Sequence, residues 1–186
     1  MKSPKPERHL LSKSTFMYGC QCPKRLWLHK FKPEVRDEED EAQTAIFQSG
    51  TDVGMLAREL FPDGVDASPE TAYLYQQSVA DTAKYIAKGH EVIYEAAFQY
   101  EGMLCAVDIL VKQNDQWYAY EVKSTTSVKP QHIPDAAFQY YVITHAGLEL
   151  ADFSIIHLNN QYIRKGNLNI QELFAVSSVL EDILIE

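Results

Sequence analysis

Asp108, Glu121 and Lys123 are the residue types that metal-assisted hydrolysis needs. Two carboxylates can hold a divalent ion, and an ammonium nearby can orient water or steady a developing negative charge. Their spacing says more than their types. Asn114-Asp115 lies between two alternating runs, Met103, Cys105, Val107, Ile109, Val111 before it and Tyr118, Tyr120, Val122 after it. With those two residues at the centre of a tight hairpin, pairing is symmetric about the turn and Asp108 faces Glu121. Glu101-Gly102, as the preceding turn, sets Glu95 opposite Asp108 in the same way. Three carboxylates then form a row on one sheet face, with facing Cβ atoms about 4.5–5.5 Å apart, and like charges so placed are destabilising. A cation resolves the conflict, and oxygen-rich ligation with room for water suits Mg²⁺ or Mn²⁺. Lys123 shares the face of Glu121, with the small Ala106 and Ala97 expected beside it. The other face, carrying Tyr94, Phe98, Val107, Ile109, Tyr120 and Val122, is expected to be core. A solvated sheet surface also carries Glu, Asp and Lys, and a one-residue slip of register would dissolve the row.

The elements that must position these residues follow from periodicity and punctuation. Residues 1–9 read as a loose tail, and the length suits one domain over residues 1–186. Ser14 to Phe31 has a helical pattern broken near Gly19 to Pro23, and residues 39–61 form a second helical stretch closed by Pro62-Asp63-Gly64. Ser68 as N-cap, Pro69 at the first position and Gly89 past the end predict a third helix over 69–88. The three alternating strands follow as an antiparallel meander. A polar loop from Ser124 to His132 leads to a helix opened by Pro134 and ended near Gly147. Ala151 to Leu158 is the fourth strand, and Asn169 to Ile185 a closing helix. Helices, three strands, helix, strand, helix make an α/β (α+β) fold.

Bulk properties narrow the function classes. No run of eighteen apolar residues occurs, so no membrane span is expected, and the charged, Pro-rich start resembles no signal peptide; a cytoplasmic protein is expected. Three cysteines, Cys20, Cys22 and Cys105, make no disulfide framework. His90, His145 and His157 show no metal spacing, and Gly50 to Gly54 no phosphate-loop spacing. The net charge of −9 opposes tight non-specific binding of nucleic acid. Basic residues do cluster locally, as Lys24, Arg25, His29, Lys30 and Lys32, and again as Lys123 and Lys129.

Val107-Asp108-Ile109-Leu110 followed by Tyr120-Glu121-Val122-Lys123-Ser124 resembles the PD-(D/E)XK nuclease superfamily, with its acid at one strand end and acid-x-Lys on the next. Further stretches agree with the RecB-like and CRISPR-associated exonuclease branch: Cys22-Pro23-Lys24-Arg25-Leu26-Trp27-Leu28, Val53-Gly54, and Gln139-Tyr140-Tyr141. Through Tyr94-Glu95-Ala96-Ala97-Phe98 and the stretch from Ser124 to Gln139, the chain is most similar to a bacterial domain-of-unknown-function family within that branch. The resemblance spans roughly residues 10 to 175. It implies a restriction-endonuclease-like core and a divalent-metal-dependent nuclease, an exonuclease acting on DNA in repair or defence. It implies that Asp108, Glu121 and the Val122 carbonyl bind Mg²⁺ or Mn²⁺, with Glu95 as a third acid. Lys123 then orients or deprotonates water or stabilises the phosphate, and Gln139, with Tyr140 or Tyr141, positions substrate or loop. Arg58, Ser124, Lys129 and His132 are further candidates for substrate positioning.

Two departures define the alternatives. RecB-like nucleases carry a metal-binding His four residues after the helix Gly; counted from Gly54, that position is Arg58, and Arg cannot ligate a cation. Glu59 or Glu95 then supplies the ligand, or the chain is a non-catalytic module that binds DNA or a protein partner such as a helicase or defence component. CRISPR-associated relatives hold an iron–sulfur cluster with one N-terminal and three C-terminal cysteines. None follows Cys105 here, so no complete cluster is expected from this chain. The sequence stops inside a helical pattern over residues 179–186, and a second alternative is that the chain is the N-terminal part of a longer iron–sulfur nuclease.

Overall fold

Asn114 (φ 50°) and Asp115 (φ 61°) both adopt left-handed backbone, as do Glu101 (φ 44°) and Gly102 (φ 77°). Two successive positive φ values give the two-residue turn whose twist matches its flanking strands, and these turns fix the register of the meander. The structure, a computed structural model, describes residues 11–35, 50–71 and 74–185. In chain order it contains β1 (Leu11–Ser12), α1 (Lys13–Gln21), α2 (Pro23–Phe31), α3 (described over 50–57), a 3-10 turn (Arg58–Leu60), β2 (Val65–Asp66) and α4 (Tyr75–Ala87). The meander follows as β3 (Val92–Tyr100), β4 (Met103–Gln113) and β5 (Gln116–Lys123). Then come α5 (His132–His145), β6 (Leu150–Leu158), α6 (Ile170–Leu173), β7 (Phe174–Ser178) and α7 (Leu180–Ile185).

The sheet order is β2-β3-β4-β5-β6-β7. β3, β4 and β5 are antiparallel neighbours, with Tyr94 opposite Ile109, Ala96 opposite Val107, and Ile109 opposite Tyr120. α5 crosses from β5 to β6, which pair in parallel, and β7 returns antiparallel to β6. β4 and β5 part company after the Ile109–Tyr120 pair. β1 joins β4 there, pairing in parallel through Leu11 with Met103 and Ser12 with Leu104. The parting matters, because Asp108 and Glu121 are the next residue on each strand.

Two apolar layers hold the sheet. One side packs against α5 and α7 through Ile93, Leu110, Phe153, Ile155, Val142, Ile143 and Ile183. Full burial of each such large side chain contributes roughly 1.5–3 kcal/mol. Phe16 of α1 stacks on Phe138 of α5 with ring centroids 4.7 Å apart, which ties the N-terminal helix to the same side. The other side packs against α3 and the 3-10 turn through Tyr94, Ile109, Val111, Tyr120 and Ala57. Tyr94 and Ile109 lie in this second layer, but Ala96, Phe98 and Val107 lie in the first. Alternation therefore breaks at Glu95 and Asp108 while the pairing register is kept. Glu95 has φ 52°, a left-handed conformation that side-chain-bearing residues rarely adopt, and it turns the strand over at that point. The expected single core face of Tyr94, Phe98, Val107, Ile109, Tyr120 and Val122 is thus divided between two layers.

Other expectations are revised. The helix predicted from Pro69 starts at Tyr75. Ser68 does not cap it: its N–H donates to Asp66 Oδ1 at 2.8 Å, and the Ala67 N–H donates to the Tyr94 carbonyl at 2.9 Å. Pairing with β3 overrides the local helix signal. The predicted 169–185 helix is a short helix, an edge strand and a second short helix, because β6 offers Phe174–Ser178 a pairing edge. α5 begins at His132, two residues before Pro134, which a first helical turn tolerates. The predicted tail 1–9, residues 39–49 of the second helical stretch, and Glu186 lie outside the described residues. Among the described residues, no helix is long and apolar enough to cross a membrane. N-terminal helices, a mixed sheet built on an antiparallel meander, and a helix crossing to a parallel strand make this a restriction-endonuclease-like α/β architecture.

Candidate active site

Where β4 and β5 separate, backbone groups lose their ladder partners and side chains take them over. The Val122 N–H donates to Asp108 Oδ2 at 2.6 Å, a side-chain bond in place of the next rung. Asp108, Glu121, Glu95 and Val122, with Arg58, Thr51, Gly54 and Met55, line one cavity of about 370 Å³. A second cavity of about 400 Å³ shares Glu95 and Asp108 and is bounded by Ser12, Lys13, Ser14, Tyr75, Leu104, Cys105 and Ala106.

Glu121 is only 3% exposed, and each of its oxygens is bonded twice. Oε1 accepts from Lys13 Nζ at 2.8 Å and from Lys123 Nζ at 2.7 Å. Oε2 accepts from Lys13 Nζ at 3.0 Å and from Gln139 Nε2 at 2.9 Å. Burial alone would raise its pKa; the ammonium groups of Lys13 and Lys123 outweigh burial and bring it down to about 2. Lys123 also donates to Asp135 Oδ2 at 2.6 Å, and Gln139 lies 3.4 Å from Asp135 Oδ1. Burial would lower the pKa of Lys123, but Glu121 and Asp135 prevail and raise it, so it stays an ammonium.

Asp108 differs. Among the described residues it has no ion-pair partner. Burial, then the neighbouring Glu121, pushes its carboxyl up to about 7 despite Lys13. Glu95 is raised too, by burial, although Arg58 lies 3.3 Å from its Oε1. Arg58 is held on three sides: by Glu95, by Asp66 at 2.6 Å, and by the Tyr94 ring 4.7 Å below its guanidinium. Among the described residues no three acidic, imidazole or thiol groups converge enough to hold an ion by themselves. The bonding gives the reason: Glu121 is turned to two lysines and Glu95 to Arg58, so the three carboxylates share a cavity without sharing a centre.

The other anticipated residues fall in different places. Gln139 is fully buried against Glu121, and its Oε1 has no partner among the described residues. Ser124 and Lys129 are exposed. His132 is buried; burial and Lys123 lower its pKa, and its Nδ1 accepts from the Lys129 N–H at 3.1 Å. Tyr140 packs against the α5 core, while Tyr141 is exposed and stacks on His145 at 3.9 Å; neither lines the cavities. Ala97 and Ala106 pair with each other as expected, but β5 has left β4 by then, so Ala106 borders Lys13 rather than Lys123. Cys20 and Cys22 are exposed, and Cys105 is buried with its thiol pushed up to about 12 by burial. Lys13 and Asp135 were not anticipated. Asp135 carried a signal, four residues before Gln139 and so on one helix face with it. Lys13 carried none, since its contact spans 108 positions of sequence.

Comparison with known proteins adds little. No family model and no curated protein matches the sequence. A solved structure described as "Crystal structure of SSO0001" is similar over 92% of this chain and 85% of that chain, with 9% identity and a TM-score of 0.31. A likeness at that level carries no argument, and the architectural assignment rests on the topology.

Proposed function

We propose that this chain is a Mg²⁺- or Mn²⁺-dependent nuclease that hydrolyses DNA phosphodiester bonds, a cytoplasmic exonuclease of repair or defence, acting at Glu95, Asp108, Glu121 and Lys123. One observation carries the reading: Asp108 lies half-buried beside Glu121 on a cavity, with its carboxyl raised to about 7 and no ion-pair partner among the described residues. A buried carboxylate is normally paired or bound to a metal. The donors fit a hard cation, because they are oxygens: Asp108, Glu121, Glu95 and the Val122 carbonyl. When bound, the ion would supply an activated water and neutralise phosphate charge.

The chain's own residues divide the remaining work. Lys123, kept as an ammonium by Glu121 and Asp135, orients water or stabilises the phosphate and does not take a proton. Gln139 fixes the Glu121 carboxylate, and Asp135 fixes the Lys123 head group. Arg58, tied to Glu95 and Asp66, is a further candidate to meet substrate from the cavity wall.

The test is cleavage of single- and double-stranded DNA with each ion, alongside calorimetric Mn²⁺ titration. Lys123→Ala is expected to lose about 10²–10³-fold in rate, the usual effect of removing one charge-stabilising donor, while retaining Mn²⁺ binding. Equal cutting by Lys123→Ala would move the activity elsewhere. A second reading, a module that binds DNA or a protein partner without cutting, draws on the cations already holding Glu121 and Glu95. It becomes the better one if the wild-type chain neither cuts nor binds an ion.

A further inference from the structure

Lys13 lies outside the acid-x-Lys pattern, yet it bonds both oxygens of Glu121. Its position is built into the fold. Ser12 pairs with Leu104 beside the parted strands, and it caps α1 reciprocally with Thr15 through bonds of 3.3 and 2.8 Å. Lys13 is the first residue of that helix, and Phe16, one turn on, stacks on Phe138. The backbone of Lys13 is therefore anchored to β4 and α5 before its side chain is considered. A surface ion pair between two mobile side chains is worth little. Here both ends are held and Glu121 is buried.

An ammonium 2.8 and 3.0 Å from the two oxygens of one carboxylate stands in the fork of that carboxylate. A cation chelated by Glu121 would need the same place, and like charges at such range repel strongly away from bulk water. The cavity of about 400 Å³ bordered by Lys13, Ser14, Tyr75 and Ala106 adjoins this contact and gives a displaced side chain room. Resting on the nuclease reading above, we propose that Lys13 is an internal competitor for the divalent ion: it holds Glu121 in the ion-free protein and swings into the adjoining cavity when the ion enters. Ion binding and the Lys13–Glu121 contact are then mutually exclusive. The apparent affinity for the ion is lowered by the fraction of molecules in which Lys13 is engaged.

The experiment titrates Mn²⁺ into the full chain, wild type, Lys13→Met and Lys13→Gln, following free ion by electron paramagnetic resonance. Both neutral variants, checked for folding by circular dichroism, are expected to bind roughly 5–150-fold more tightly than wild type, the usual span of coupling between two ligands. Unchanged or weaker binding by the folded variants overturns the proposal. A second measurement needs no variant: brief acetylation of wild type at fixed pH, read by mass spectrometry, should modify Lys13 faster with Mn²⁺ than without. In wild type shown to be loaded with Mn²⁺, an unchanged rate overturns the proposal even where the variants bind tightly, since the ion would then sit beside Lys13 and not in its place. If wild type binds Mn²⁺ and cuts DNA while Lys13 fails either test, this inference falls alone. If no form binds Mn²⁺, the nuclease reading falls with it. Binding by the Lys13 variants only is the strongest support.

Discussion

Replacing Asp108 by Asn should make the ion-free protein more stable, and more so as pH rises. The Asp108 carboxyl is raised from 3.8 to about 7, first by burial and then by Glu121. Each tenfold change in proton affinity is worth about 1.4 kcal/mol, so the ionised group costs the fold up to roughly 4 kcal/mol. The sign follows from the two states. Below pH 3.8 both folded and unfolded chains hold the proton and Asp108 is neutral in the balance. Between pH 3.8 and 7 the unfolded chain ionises while the folded chain does not, so stability falls as pH rises. Above pH 7 the full penalty is present. Asn keeps an oxygen that can accept from the Val122 N–H but forfeits the charge, and a hydrogen bond to a neutral acceptor is weaker. The expected net gain is therefore about 1–3 kcal/mol at pH 8 and smaller at pH 5, where the ionisation penalty has fallen to about a third. Urea unfolding of both proteins in EDTA at the two pH values measures it. An Asp108→Asn protein no more stable than wild type at pH 8 would refute the view of Asp108 as a half-buried charge without an ion-pair partner.

Two further substitutions probe what surrounds the acids. Gln139→Leu removes a donor from both Glu121 and Asp135 in a fully buried position; denaturant unfolding should show a loss of about 1–3 kcal/mol, and an unchanged midpoint would mean that the amide holds neither. Gly64→Ala should destabilise by about 1–3 kcal/mol, because a methyl there would run into the Tyr94 ring, whose hydroxyl donates to the Phe61 carbonyl at 2.5 Å. Thermal melting reads this loss directly, and wild-type stability would show that Tyr94 can move without consequence.

The meander was legible because its information is local. Two turns of a kind that demands positive φ, each flanked by alternating runs, leave one register, and that register puts Glu95, Asp108 and Glu121 at matching positions. What was not legible is tertiary. The turnover at Glu95 changes which layer each side chain joins without changing any pairing, so Phe98 and Val107 moved to the α5 side unannounced by the pattern. β1, β2 and β7 are strands only because β4, β3 and β6 offer them edges. Phe174–Ser178 continues an apolar spacing that reads equally well as helix, and only the free edge of β6 decides it. The place of Lys13 is tertiary for the same reason, since it depends on the pairing of β1 with β4.

Net charge over the whole chain, −9, misdescribes the neighbourhood that matters. Around the parted strands, Asp66, Glu95, Asp108, Glu121 and Asp135 are met by Arg58, Lys13 and Lys123. Five carboxylates against three cations leave two negative charges uncompensated when all are ionised. That is the charge of one divalent ion. The deficit is not spread evenly: Glu121 has two ammonium partners, Asp135 and Asp66 one cation each, Glu95 a shared one, and Asp108 none among the described residues. A site meant only for structure would be expected to close this gap with a further Lys or Arg, because an unpaired buried charge costs several kcal/mol. The gap is left open at Asp108, which with Glu95 borders both cavities. A divalent cation at Asp108, as proposed above, would neutralise this local imbalance.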